Sequence, residues 1–89
     1  MSVHVLKVQK PYFDALLDGS KTFEVRRNDR AYQRGDTLEL VAYDGIYRDP
    51  NHPAPIRRTV SFVYSGDPRF GAWPDGLVVL ALAEPGDQS

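Results

Sequence analysis

The chain has no cysteine, which rules out disulfides and thiolate metal sites and makes the cytoplasm its natural compartment. Its two histidines, His4 and His52, are too few and too far apart in sequence to suggest a metal centre, and no motif calls for a cofactor. No apolar run approaches the roughly 20 residues needed to span a bilayer, and the N-terminus has no signal-peptide hydrophobic segment. A membrane role is therefore not expected. Excess charge is missing too. Eleven Lys and Arg against 12 Asp and Glu leave a net charge of -1, unlike the basic excess of a generic polyanion binder.

What is present suits one small domain. The 89 residues are 42% hydrophobic, with one Trp, five Tyr and four Phe, enough for one modest core and too little for a second. That domain is expected to span 1–84, with a disordered tail over 85–89. Charge is unevenly spread along it. Between Lys21 and Arg34 the basic residues Lys21, Arg26, Arg27, Arg30 and Arg34 stand against only Glu24 and Asp29, while the remainder is acidic. A small basic site on an acidic body suits an anion-bearing ligand of limited size, such as a few nucleotides.

Patterning gives an α+β order. Val3 to Val8 is rich in β-branched residues and reads as a first strand. Pro11 then opens a short helix to Asp18, with Phe13, Leu16 and Leu17 as its apolar stripe and Asp14 and Asp18 toward water. Thr37 to Tyr43 alternates, turning Leu38, Leu40 and Ala42 to one side. Ile56 to Tyr64 alternates as well, with Val60, Phe62 and Tyr64 on one face and Arg57, Thr59, Ser61 and Val63 on the other. Leu77 to Ala83 is a nearly continuous apolar run, as a central strand would be. Loops 46–55 and 65–76, rich in proline and aromatics, connect the later strands.

One stretch carries the chemistry. Gly19 supplies the left-handed position that ends the helix, and Lys21 to Asn28 continues as a strand, so Lys21 stands at the mouth of a helix-to-strand turn. In that strand Phe23 and Val25 point one way, while Thr22, Glu24, Arg26 and Asn28 point the other. A carboxylate and a guanidinium two residues apart on one face can hold each other in a fixed orientation for a phosphate, a carboxylate or a base edge. The plainer alternative is an ordinary exposed strand face with Lys21 solvated.

Gly19, Lys21, Glu24 and Arg26 match the G-x-K-x-x-E-x-R signature of the ASCH superfamily, small β-barrels related to RNA-binding PUA domains. The likeness continues through His4 to Val8, Tyr12-Phe13, Arg26 to Arg30 and Gln33 to Asp36, and resembles most a compact phage and bacterial branch without settled function. It implies a small mixed barrel of about five strands with one or two short helices. It also implies a cleft in which Lys21, Glu24 and Arg26 meet single-stranded RNA or a modified nucleotide. Asn28 and Arg30 extend that site, and Tyr12 and Trp73 are its most promising stacking surfaces.

Two further classes follow from the same comparison. Some superfamily members resemble ribonucleases, and another branch hydrolyses acetylated cytidine with a lysine, a threonine and a glutamate. In that branch the threonine occupies the position held here by Glu24, and Thr22 does not match it. If the chain were an enzyme, Lys21 and Glu24 would be its catalytic pair. The third class is a protein-interaction regulator acting through the two long loops.

Overall fold

The computed structural model describes residues 1–66 and 76–84. The expectations for Trp73 and for the tail at 85–89 lie outside those residues. In chain order the elements are β1 (Val3–Gln9), α1 (Lys10–Leu17), β2 (Phe23–Arg27), β3 (Thr37–Asp44), β4 (Tyr47–Arg48), β5 (Ile56–Tyr64) and β6 (Leu77–Ala83). They build one mixed six-stranded sheet in the order β1-β3-β5-β6-β2, with β4 added to β3 as a hairpin. β1 and β3 run parallel, and the other pairs are antiparallel.

Sequence alternation decides which side of each strand is buried. Leu6 and Val8 of β1, Leu38, Leu40 and Ala42 of β3, and Val78 and Leu80 of β6 turn inward. Phe13 and Leu16 of α1 press onto them, each contributing about 1.5–3 kcal/mol by leaving water. Leu17, expected in the same stripe, is exposed, because α1 has only eight residues and its contact is one turn wide. The alternation expected for β5 also fails beyond Val60. A bulge shifts the register, so that Val60 faces Leu82 while Phe62 faces Ala81. The extra residue, Ser61, turns Phe62 and Tyr64 outward and packs Val63 against the core.

The expected closed barrel is not formed. β1 and β2 end the sheet order and do not pair with each other. The physical reason is that charged side chains of the signature stand in the gap that backbone pairing would close. Thr37 N–H donates to Ser2 O, so by parallel alternation Val5, Lys7 and Gln9 turn their peptide groups to the open edge of β1. Arg26 Nη2 donates to Lys7 O at 2.6 Å and Arg30 Nη1 to Val5 O at 2.9 Å. Two guanidinium groups thus seam an otherwise open sheet.

Gly19 sets the entry to this seam. Its φ of +84° is the left-handed helix terminus, where its N–H reaches Leu16 O at 3.3 Å and Lys21 N–H reaches Ala15 O at 3.0 Å. A Cβ there would meet nothing within 4 Å, so Gly19→Ala costs only the backbone strain of about 1–2 kcal/mol. Urea denaturation is expected to show a lower midpoint with an unchanged slope; an unchanged midpoint would refute this role.

Candidate functional site

Strand β2 is inside out relative to the usual rule. Its apolar residues Phe23 and Val25 are about half exposed, whereas the Glu24 side chain between them is buried. An isolated buried carboxylate would be costly, and this one is neutralised on both oxygens. Lys21 Nζ donates to Oε1 at 2.7 Å, and Arg26 Nε donates to Oε2 at 3.0 Å. The exposed-face alternative is thereby excluded.

Both cations are fixed by further bonds. Lys21 Nζ also donates to Phe23 O at 2.8 Å, and Arg26 to Lys7 O. By antiparallel alternation that Phe23 carbonyl lies on the open edge of β2, because Leu82 N–H already takes Thr22 O and Asn28 N–H takes Gly76 O. Lys21 therefore sits against one bare sheet edge and Arg26 crosses to the other. Of the three donors of an ammonium and the five of a guanidinium, two of each are spent in these bonds. The remaining donors border a pocket of about 500 Å³ lined by Lys7, Val8, Gln9, Tyr12, Lys21 and the β2 residues Phe23 to Arg26.

Aromatic faces frame that pocket. Lys21 Nζ lies 5.6 Å from the Tyr12 ring centre and 5.0 Å from that of Phe23, both rings remaining substantially exposed. Tyr12, Lys21, Glu24 and Arg26 are thus brought together. Asn28 and Arg30 are not part of this pocket. Asn28 Oδ1 accepts from Tyr32 N–H at 3.3 Å and shapes the turn after β2, while Arg30 reaches the β1 edge farther along. The basic residues of the 21–34 window likewise do not form one patch, since Arg27 lies on the opposite face of β2 from Arg26.

Sequence reading missed the β1 wall, Lys7 to Gln9, and the rim role of Phe23. The first strand was legible, but not that β1 would be a sheet edge opposite β2. Gln9 has a structural task as well: its amide donates to Gly45 O and accepts from Gly45 N–H, both at 3.0 Å, pinning the β3–β4 turn beside the helix start.

Other polar clusters support the frame. Asp36 is buried and accepts from Ser2 N–H, Gln33 N–H and the His4 ring. Burial pushes its carboxyl up, yet these three donors together hold it below the usual carboxylate range. Tyr32 is buried beside His4, and burial raises its phenol although Arg30 and Arg26 pull the other way. In the 46–55 loop, the amide of Asn51 and the ring of His52 hold the Asp49 carboxyl low. His52 also lies 3.5 Å from Asp14 and edge-on to Phe13, which docks this loop on α1.

Among the described residues no helix is long and apolar enough to cross a membrane, and no group of carboxylates and histidines is arranged to hold a metal ion. A curated relative from Escherichia phage P2, described as an uncharacterized 12.9 kDa protein in the GpA 3′ region, is 50% identical over 38 residues. That match covers 43% of this chain and 35% of the phage protein, so the aligned part is about a third of the relative. Family comparison extends much farther, matching residues 3–82, and the chain belongs to the family described as Domain of unknown function (DUF3850).

Proposed function

We propose that the chain is a binding module for a nucleotide or a short single-stranded RNA, seated between the bare edges of β1 and β2. One observation carries this reading: a buried carboxylate fixes a lysine and an arginine, with donors to spare, beneath a pocket rimmed by Tyr12 and Phe23. Glu24 offsets one of the two positive charges, so the site is net cationic and already ordered before a ligand arrives. Guanidinium and ammonium donors suit phosphate oxygens or base carbonyls, and exposed rings suit a base face. A volume of about 500 Å³ falls within the range of small-ligand pockets. Resemblance to the ASCH superfamily and its RNA-binding PUA relatives supports the same reading, with the open, side-chain-seamed sheet standing where those domains have a barrel.

The alternative of a hydrolase acting on RNA or acylated cytidine draws on the 2.7 Å contact between Lys21 and Glu24. Both Glu24 oxygens are engaged by cations, however, so the carboxylate is committed to orienting Lys21 and Arg26. The geometry favours binding over turnover.

Titration of labelled protein with short mixed-sequence RNA, followed by NMR, tests the proposal. Amide shifts are expected at Lys21 to Arg26 with the RNA intact, whereas new RNA end signals would make the protein a nuclease. Tyr12→Ala removes an exposed ring and is expected to weaken binding about tenfold, the lower part of the range for a lost stacking contact, without lowering stability. Unchanged affinity would remove Tyr12 from the site, and no shift in any amide would sink the proposal.

A further inference from the structure

A second groove lies along the same seam. It holds about 330 Å³ and is lined by Val5, Lys7, Arg26, Arg30, Val41, Tyr43 and Arg48. Four of these seven residues are cations and none is an acid. β1 and β3 supply an apolar floor, because parallel pairing puts Lys7 beside Val41 on one face, and Arg48 enters through its pairing with Tyr43 on that face. Glu24 neutralises part of the charge through Arg26, and Glu39, opposite Val5 in register, is taken by Arg57.

Each cation is oriented by a bond that leaves most of its donors unused. Arg30 gives one donor to Val5 O, Arg48 one to Pro53 O, and Lys7 lies over the Tyr43 ring at 5.1 Å. The carbonyls that hold Arg26 and Arg30 are two residues apart on β1, about 6.6 Å along the strand. Their heads therefore address two positions along the groove and not one. Lys7 and Arg26 line both hollows, so the groove adjoins the aromatic-rimmed pocket, with the Arg26–Lys7 bond at their common border.

From this adjacency and the groove's four cations we infer that the groove is a backbone track: the ligand is an RNA strand, with one base in the Tyr12–Phe23 pocket and the adjoining phosphodiesters on Lys7, Arg30 and Arg48. The inference rests on the nucleotide-binding reading and narrows it, since a mononucleotide would leave the track empty. Neither Lys7 nor Arg48 lies in the basic 21–34 stretch; sheet pairing alone brings them to it.

Fluorescence anisotropy with a labelled mixed-sequence RNA tetranucleotide, its methylphosphonate analogue and competing nucleoside 5′-monophosphates separates the outcomes. The tetranucleotide is expected to bind at least about tenfold tighter than the monophosphates, and to lose that advantage in the uncharged analogue. Arg48→Gln is expected to weaken the tetranucleotide several-fold and reduce the salt slope by about one, leaving monophosphate affinity unchanged. Equal binding of charged and uncharged tetranucleotides, or an Arg48→Gln variant with an unaltered salt slope, overturns the track while the pocket reading stands if Lys21 to Arg26 still respond. Failure of the unsubstituted protein to bind any of the probes overturns both.

Discussion

Arg26→Ala is expected to be the most damaging single change at the site, lowering stability by about 3 kcal/mol and abolishing RNA binding. Three losses coincide in it. Glu24 keeps only Lys21 as a partner while remaining buried, and breaking a buried charge pair from one side costs about 3–5 kcal/mol. The Arg26 side chain is a quarter exposed, so water can partly replace it, which puts the expected cost at the low end. The Lys7 carbonyl loses its donor, and with it goes the Arg26 tie between β1 and β2, leaving the Arg30 bond to Val5 from the turn after β2. The pocket also loses the one guanidinium that lines it among the described residues. Urea denaturation measures the first effect, and hydrogen exchange at the open edge of β1 measures the second. Arg26→Lys separates them from binding. A lysine restores charge beside Glu24 and so recovers much of the stability, but it cannot fork between Glu24 and Lys7, and affinity should stay low. An Arg26→Ala protein with the original midpoint would mean that the seam does not contribute to stability.

The signature was readable because its logic is local. Gly19 ends the helix, Lys21 follows at the turn, and strand alternation puts Glu24 and Arg26 on one side; all three hold. Which side faces inward was not readable, because Phe23 and Val25 would ordinarily claim the interior. Only the pairing of Glu24 with two cations makes the reverse arrangement tolerable, and Arg26 completes it through a carbonyl on a distant strand. The β1 wall and Arg48 were hidden for a related reason. They join the site through sheet order and register, which hydrophobic pattern does not encode: Lys7 is 19 residues from Arg26 and lies at the opposite end of the sheet order. The bulge at Ser61 left no mark either, since Phe62 and Val63 are both apolar and the pattern fits either face. Barrel closure came from resemblance alone, and the strand order that would have tested it is a non-local property.

Acid should destabilise the protein through Asp36. This carboxylate ties the start of β1, the His4 ring and the turn before β3 into one cluster. Its folded pKa lies below that of an ordinary aspartate, so the sign of the linkage is set. The stability it confers is fully present above the unfolded value and is lost as pH falls through the lower folded value. Asp49 adds in the same direction, because Asn51 and His52 hold its carboxyl low. Stability measured by urea midpoints should thus be flat near neutrality and fall below about pH 4. Asp36→Asn keeps the shape, but its amide half presents N–H groups to donors that need an acceptor. A cost of about 2–3 kcal/mol at pH 7 is expected, the range for hydrogen bonds to a charged acceptor. The variant's acid limb should also be shallower, because the proton taken up by Asp36 on unfolding is gone. A variant that is destabilised at pH 7 but keeps the full acid limb would assign the acid sensitivity to other groups, Asp49 first. His4→Gln offers an independent check, since its side-chain amide can still donate to Asp36 while carrying no charge. Should it behave as the unsubstituted protein does, the cluster is held by hydrogen bonds more than by an ion pair, consistent with the two backbone amides that bind the same carboxylate.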